Sequence, residues 1–308
     1  MTVTPSVIVV GAGAAGLLAA ARLGEGALLL DANPKPGKKL LATGNGRCNL
    51  THDPIDPAHY HGDVSAAAPL LAAFSATRIR EEFRALGLLT RPDSEGRCYP
   101  NSLQAASVLQ ALWAACEESG VATRWEAHVT ALTRGKAGFT CTLSTGETFT
   151  APRVVLATGG KASPKHGGGR GYDLARSLGH TVTPLTPSLT PLRTPDKLCR
   201  ALKGQRCRAQ VTLTHGGEAL FTESGEVIFG DGQLSGICVF DLSARLREQG
   251  FTPGAPGWAV TLDPLPDLSL PDLTAYLTDL ACRRPSLPAG ELFSGAMNLR
   301  LGSELVKR

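Results

Sequence analysis

The chain has 308 residues, of which 43% are hydrophobic and 19% are charged, and this ordinary globular composition argues against wholesale disorder. The net charge of +4 suits an anionic ligand but gives no case for a nucleic-acid partner. The eight cysteines form no CxxC pair and no zinc-like spacing, which is typical of reduced thiols in the cytoplasm. We therefore expect a cytoplasmic protein without a metal site.

The first predicted elements form a strand–turn–helix–strand unit. The apolar run SVIVV (6–10) predicts a parallel strand that is buried on both faces, and LLAAARL (17–23) predicts a helix. ALLLD (27–31) predicts a second strand. The first 21 residues carry no charged side chain, but they lack the basic region of a signal peptide and contain several glycines. We therefore expect neither a targeting segment nor a membrane span.

The turn between the first strand and the helix reads GAGAAG, with Gly11, Gly13 and Gly16 in the GxGxxG spacing. In a dinucleotide-binding unit these glycines make the tight turn, admit a pyrophosphate and let the helix pack against the strand. The helix N-terminus supplies N–H groups and partial positive charge to phosphates. Asp31 follows 20 residues after Gly11, where a carboxylate can accept from ribose hydroxyls, and Asn33 would lie near the same ribose. The unit predicts dinucleotide binding; the alternative is a plain glycine-rich turn.

The hexamer GNGRCN (44–49) follows the second strand and is too flexible to make a good strand or helix. Its cation and amide donors suit a long cofactor that has phosphates, ribityl hydroxyls and ring carbonyls. We expect Lys38 and Lys39 to face the phosphates, and Arg47 and Asn49 to run toward the flavin end. The alternative is an arginine-capped surface turn.

The middle of the chain carries the second cofactor signal. A helix is predicted over 105–120 and a strand over 121–132, and the segment 139–159 predicts a hairpin that leads into a further strand. That strand ends in TAPRVVLATGG (150–160), which resembles the T-x4-h-h-A-T-G segment (h, apolar) of two-dinucleotide-binding-domain flavoproteins. Few dehydrogenases that use only NAD carry both signals, so FAD is favoured as the cofactor.

The second half of the chain predicts a different architecture. The proline-rich stretch 183–195 predicts an extended connector and a domain boundary. Short strands with glycine turns are predicted over 209–230, and helix from about 269 onward. The resulting division is a Rossmann-type FAD-binding domain over 1–185, a β-barrel-like insert over 186–265 and a helical insert over 266–308.

Six segments in order resemble the HI0933-like family, also called BaiN-like or YhiN-like, of FAD-dependent NAD(P)/FAD oxidoreductases. They are VIVVGAGAAGLLAA, GKKLLATGNGRCNLT, GRCYPNSLQAASVLQAL, VVLATGGKASPK, GYDLARSLGHTVTPLTPSLTPL and GEVIFGDGQLSGICVFDLSARL. The resemblance implies an α/β, Rossmann-type FAD-binding domain with an inserted β-barrel and a small helical subdomain. It also implies the cofactor contacts by position: Gly11, Gly13, Ala15 and Gly16 on the pyrophosphate, Asp31 on the ribose, Lys39, Asn45, Gly46, Arg47, Cys48 and Asn49 along the FAD, Ala157, Thr158 and Gly159 on its other side, and the backbone of Val129 at the adenine.

The sequence departs from the family pattern in two places. The loop HGGGRGY (166–172) has Arg170 where the family has an acid; a tolerated surface loop and a changed contact are both open. His166 in the same loop is a candidate proton donor, although a loop histidine is more often simply solvated. Relatives also continue for roughly another hundred residues and complete the FAD pocket there, so the resemblance predicts that this chain ends before the C-terminal FAD-domain segment.

These patterns favour an FAD-dependent oxidoreductase that moves hydride between FAD and NAD(P)H or a small organic substrate. Only one dinucleotide fingerprint is visible, so NAD(P)H would bind transiently. No catalytic residue is predicted, because the flavin itself carries the chemistry. The alternatives are a truncated remnant that cannot hold FAD, and an NAD-dependent dehydrogenase without flavin, which leaves GNGRCN and the ATGG strand unexplained.

Overall fold

The computed structural model describes residues 4–60, 64–162 and 169–307. The chain divides into two compact units, Met1–Pro184 and Leu185–Arg308. The strands of the first unit are β1 Val7–Val10, β2 Ala27–Leu30, β3 Thr51–His52, β4 Thr90–Pro92, β5 Arg97–Pro100, β6 Ala122–Arg124, β7 Val129–Gly135, β8 Gly138–Leu143, β9 Thr148–Ala151 and β10 Arg153–Leu156. Its helices are α1 Ala14–Leu23, α2 Val64–Ala73, α3 Ala76–Ala85, α4 Ala105–Glu118 and α5 Arg170–Ser177.

A parallel four-stranded sheet in the order β10-β1-β2-β6 forms the centre of the first unit. Strand β1 is buried along its whole length, as its run of apolar, β-branched residues predicts. Alternate side chains of a strand point to opposite faces, so Val7 and Val9 pack in one core cluster with residues of α1 and α4. Ile8 and Val10 pack in another with residues of β7 and β8. This α/β, Rossmann-type arrangement confirms the predicted fold class.

The predicted strand over 121–132 is wrong as a single element. The structure splits it into β6, which joins the parallel sheet, and β7, which joins an antiparallel sheet in the order β7-β8-β9. Glu126 lies between them with a φ of 55°, and this left-handed residue turns the chain from one sheet to the other. The hairpin predicted before the ATGG segment is confirmed, since β8 pairs with β9 and β10 follows directly.

A smaller antiparallel sheet in the order β3-β5-β4 lies in the segment between β2 and α4. The GNGRCN hexamer precedes β3, and its first three residues end a short 3₁₀ segment, Leu40–Gly46, that is kinked at Thr43, Gly44 and Asn45. The hexamer is therefore neither strand nor α-helix, as its composition predicts.

The second unit is built on one antiparallel sheet. Its strands are β11 Leu192–Arg193, β12 Arg206–His215, β13 Glu218–Phe229, β14 Gln233–Ser235 and β15 Trp258–Asp263, and its helices are α6 Lys197–Ala201, α7 Ile237–Glu248, α8 Leu270–Arg283 and α9 Leu299–Val306. The strand order is β11-β14-β13-β12-β15. The core of this unit includes Val211, Leu213, Val227, Leu242 and Leu301. This sheet lies in the part of the sequence for which the barrel-like insert is expected. Its strands β12 and β13 have 10 and 12 residues, so they are longer than the short strands predicted.

Within the ranges given above, no helix is both long and apolar enough to cross a membrane.

Candidate functional site

The glycine loop joins the end of β1 to the start of α1, and two of its glycines are required by packing. Gly11 has a φ of 108°, and a Cβ placed there would lie 2.5 Å from the carbonyl oxygen of Ala157. A Cβ on Gly16 would overlap the carbonyl oxygen of Gly11. The loop and the first turn of α1 can therefore approach β1 and β10 only without side chains at these two positions.

Gly13 has the opposite surroundings, because a Cβ added there would meet nothing within 4 Å. Gly13 is the N-cap of α1, where no side chain caps the helix and the first turn carries no acid. The first N–H groups of a helix have no partner within the helix and carry partial positive charge. The open space in front of Gly13 is therefore suited to an anionic group such as a phosphate.

Asp31 directly follows β2 and lies beside the same loop. Its Oδ2 accepts a hydrogen bond from the backbone N–H of Ala12 at 2.6 Å. Its Oδ1 accepts from the backbone N–H and the side-chain amide of Asn33 at 2.7 and 2.8 Å. The carboxylate thus ties the end of β2 to the glycine loop, at the place where the GxGxxG spacing predicts a ribose contact.

The ATGG segment reaches this loop because β10 pairs in parallel with β1, with Leu156 opposite Val10. The N–H of Ala157 donates to the carbonyl of Val10 at 2.8 Å. Lys39 Nζ donates to the carbonyl of Gly160 at 3.0 Å, so the ammonium group lies against the ATGG turn. Two segments that are distant in the sequence therefore meet at the carboxyl edge of one parallel sheet, which is where ligands bind in such folds.

A cavity of about 360 Å³ lies at this edge. Most of the predicted cofactor residues line it: Gly11, Gly13, Asp31, Asn33, Lys39, Val129, Ala157, Thr158 and Gly159. Lys38, expected to face the phosphates, also lines it, and so do Ala12, Ala32, His128 and Arg170, which the sequence did not mark as cofactor contacts. The sequence feature that indicates a role for Arg170 is its position directly after a run of glycines; in the structure it is the first residue of α5. Ala15 and Gly16 do not line the cavity; Gly16 is buried behind the loop and Ala15 is exposed.

The hexamer residues Asn45, Gly46, Arg47, Cys48 and Asn49 do not line this cavity. The guanidinium of Arg47 stacks over the ring of Tyr99 at 4.8 Å from its centroid, and its Nε donates to the carbonyl of Gly44 at 3.4 Å. Asn45 and Cys48 have φ values of 56° and 59°, which is uncommon for residues with a side chain. The hexamer is thus held in a strained shape, and its contact with FAD stays a prediction.

The side chain of Cys48 points into the protein. It is 5% exposed and packs in the core cluster that contains Leu40 and Leu112. Burial raises the pKa of the Cys48 thiol, although a hydrogen bond with Thr43 acts in the opposite direction. A thiol in this setting is neutral at physiological pH and is a poor nucleophile.

The site fits the nucleotide part of FAD. The uncapped start of α1, the open space at Gly13 and the ammonium groups of Lys38 and Lys39 together suit a diphosphate. Asp31 and Asn33 supply acceptors and donors for ribose hydroxyls. In the part of the chain that the structure describes, no cluster of three His, Cys, Asp or Glu side chains is placed to hold a metal ion. His166, the candidate proton donor, lies outside that part.

Comparisons with known proteins agree with the geometry. The sequence profile described as "HI0933-like protein Rossmann domain" matches residues 5–252. The chain is similar to a 3-dehydro-bile acid delta(4,6)-reductase from Clostridium scindens, with 35% identity over 97% of this chain and 74% of that protein. It is also similar to a ribosomal RNA dihydrouridine synthase from Escherichia coli, with 28% identity over 98% of this chain and 72% of that protein.

Among solved structures, a 3-ketosteroid-Δ4-(5α)-dehydrogenase from Rhodococcus jostii matches with 17% identity and a TM-score of 0.47, over 71% of this chain and 62% of that one. The family profile spans more than half of the 308 residues, and it includes the glycine loop, the ATGG strand and the hexamer. The chain therefore belongs to the HI0933-like family and is an FAD-dependent oxidoreductase.

Proposed function

We propose that this flavoprotein is a reductase that uses NAD(P)H to reduce a carbon–carbon double bond conjugated to a carbonyl group in a small organic molecule. Bound FAD supplies the hydride-transfer chemistry between donor and acceptor. The names of both relatives describe reductions, one of a 3-dehydro bile acid and the other of uridine in ribosomal RNA. Both substrates contain a double bond near a carbonyl group, and this shared feature supports the proposed acceptor class.

The observation that supports the FAD part of the proposal is the cavity at the carboxyl edge of the parallel sheet. The start of α1 and Lys39 would hold the pyrophosphate of FAD, since both present positive charge to the same cavity. Asp31 would accept from the ribose hydroxyls while it keeps its bond to the N–H of Ala12. The backbone at Val129 would lie beside the adenine.

NAD(P)H is proposed to bind transiently. In the described residues a single glycine-rich strand–turn–helix cradle is present, the one at β1 and α1, and FAD would fill it. The nicotinamide donor then has no cradle of its own in this part of the chain. A donor that binds, reacts and leaves before the acceptor enters predicts ping-pong kinetics.

A small molecule is favoured over RNA as the acceptor. RNA binding depends on several phosphate contacts from Lys and Arg, and the net charge of this chain is only +4. An RNA substrate is nevertheless an outcome that the experiment below can give.

The experiment is anaerobic reduction of the FAD-loaded chain by NADH and by NADPH, followed by mixing with a 3-oxo-Δ4 steroid or with a uridine-containing ribosomal RNA fragment. We expect loss of the oxidised-flavin absorbance with one of the two donors and its recovery with the steroid. Recovery with the RNA alone would replace the small-molecule acceptor with a nucleic acid. A flavin that neither donor reduces would refute NAD(P)H as the electron source.

A further inference from the structure

The second unit contains a cavity of about 550 Å³ that shares no lining residue with the cavity of about 360 Å³ at the glycine loop, which we name the nucleotide cavity. Its lining includes residues of both edge strands of the antiparallel sheet, β11 and β15, and Leu301 and Leu305 of α9. Its volume falls within the range of about 300–1,000 Å³ that is typical of small-molecule sites. We name it the sheet cavity.

The wall formed by β15 is apolar but incompletely covered by protein. Trp258, Val260 and Leu262 share one face of the strand because they alternate with exposed residues. The neighbouring inward residues Val211 and Leu213 of β12 are 0% and 1% exposed. The three β15 residues are only partly buried, although they occupy the same face. Covering such a water-exposed apolar surface with an apolar group is energetically favourable, because it removes the surface from water.

Two aromatic contacts position Trp258 in this wall. The ring of Phe251 meets the ring of Trp258 edge to face, with the centroids 5.5 Å apart, and His215 stacks on Trp258 at 4.4 Å. Such contacts hold the indole in place. The cavity therefore presents a preformed flat surface, and a ligand would lose little free energy in ordering it.

A cation lies at the same cavity. Arg193 of β11 contributes to its lining and forms no ion pair with another described residue. The other charged residue of the lining, Asp196, is engaged as the N-cap of α6, where its Oδ1 accepts from the N–H of Leu198 at 2.7 Å. Among the described residues that line the cavity, Arg193 is therefore the one cation, and it lies on β11, the edge strand opposite β15 in the sheet order.

We propose that the sheet cavity binds an amphipathic carboxylate, with its apolar body against Trp258, Val260 and Leu262 and its carboxylate beside Arg193. The planar guanidinium matches a carboxylate with two parallel hydrogen bonds. The apolar body removes the open face of β15 from water. This site is separate from the nucleotide cavity and does not depend on the proposed reductase activity.

The test is a fluorescence titration of the full chain with 11-(dansylamino)undecanoate, read by energy transfer from tryptophan. We expect saturable binding of one probe per chain. Arg193→Gln should weaken the affinity about tenfold, which corresponds to loss of one charge-assisted contact. Arg208→Gln is the matched control, since Arg208 is an exposed cation on β12 that does not line the cavity, and it should bind as the parent does.

Three further measurements separate the parts of the site. The methyl ester of the probe lacks the negative charge, so it should bind more weakly and be insensitive to Arg193→Gln. Val260→Trp should fill the space and abolish binding of both forms. A third readout needs no variant: bound probe should slow the alkylation of Cys207, which lines the cavity. Burial raises the pKa of the Cys207 thiol.

Displacement identifies the shape of the apolar body. Straight-chain decanoate and the tricyclic carboxylate dehydroabietate should each compete with the probe, and their relative affinities decide between a chain and a ring system. Binding that does not saturate, or that is equal in the parent and in Arg193→Gln, would overturn the proposal. Displacement by neither carboxylate would overturn it as well.

Discussion

Gly13 and Gly16 lie three residues apart at the start of α1, yet a methyl group would meet different surroundings at each. At Gly16 it would overlap the carbonyl oxygen of Gly11, and at Gly13 it would meet nothing within 4 Å. The family resemblance assigns both glycines to the pyrophosphate, although the GxGxxG pattern itself needs one of its glycines for packing of the helix against the strand. The structure separates a glycine that the fold needs from one whose open side faces the ligand.

This difference predicts opposite effects for two alanine variants. Gly16→Ala should lower the free energy of unfolding by about 1–3 kcal/mol or more, because backbone atoms must move to admit the methyl group. Gly13→Ala should leave that free energy nearly unchanged, since its φ of −82° suits alanine, but it should weaken FAD binding. Urea unfolding of the FAD-free protein measures the first effect, and FAD titration measures the second. Equal destabilisation of the two variants would contradict this division of roles.

Lys39 allows a second prediction at the residue scale. Its Nζ is 3.0 Å from the carbonyl of Gly160 and borders the nucleotide cavity. Lys39→Met keeps most of the side-chain length and removes the charge, so FAD affinity should fall about tenfold or more through loss of a charge-assisted contact. The affinity of the variant should also depend less on salt concentration.

The control for this variant is Lys136→Met. Lys136 is exposed in the turn between β7 and β8 and does not line the cavity, so its replacement should change neither the affinity nor its salt dependence. If Lys39→Met bound FAD as tightly as this control, the ammonium group would have only a structural role at the ATGG turn.

Cys48 and Arg170 show what a motif does not reveal about the surroundings of a side chain, although the contact of Cys48 with FAD stays a prediction. The hexamer pattern places Cys48 near a cofactor, but its side chain is buried in the core. The loop that holds Arg170 departs from the family pattern, but Arg170 lines the nucleotide cavity. A sequence motif fixes the order of residues and not the direction in which each side chain points, and that direction depends on backbone angles such as the φ of 59° at Cys48.

At the scale of elements, the sequence predicts the parallel strands best. The runs at β1 and β2 are apolar along their whole length because both faces of the sheet are covered. The segment 121–132 was predicted less well, since β6 and β7 follow one another without a glycine or proline between them. The turn at Glu126 instead depends on tertiary hydrogen bonds, in which the N–H groups of Glu126 and Ala127 donate to the carbonyls of Asn33 and Asp31.

These bonds also explain why the site forms at one edge of the sheet. Asp31 receives the N–H of Ala12 through its side chain and the N–H of Ala127 through its carbonyl. One residue thus joins the end of β2 to the glycine loop and to the segment that leads into β7. The 20-residue spacing from Gly11 to Asp31 could be read from the sequence, whereas the contact with Ala127 requires the pairing of β2 with β6.

At the scale of the whole molecule, FAD binding and stability are linked. A ligand that binds only the folded state stabilises it by an amount that grows with ligand concentration, about 2.7 kcal/mol at a hundredfold excess over Kd. The cavity that would hold FAD belongs entirely to the first unit. The sequence also predicts that FAD binds to the first unit, since the GxGxxG and ATGG signals both precede the proline-rich connector at 183–195.

We therefore predict that FAD slows hydrogen exchange selectively in the first unit. Amides of the first turn of α1 and of the segment that follows β10 should gain protection as FAD is added, because Gly13 directly before α1 and Ala157, Thr158 and Gly159 after β10 line the cavity. Peptides from β12 and β13 serve as the internal reference, since these strands pair with each other and pack in the core of the second unit. The Gly13→Ala variant should require more FAD for the same protection. If protection appeared only in β12 and β13, the cofactor would bind the second unit, and the assignment of the nucleotide cavity would be wrong.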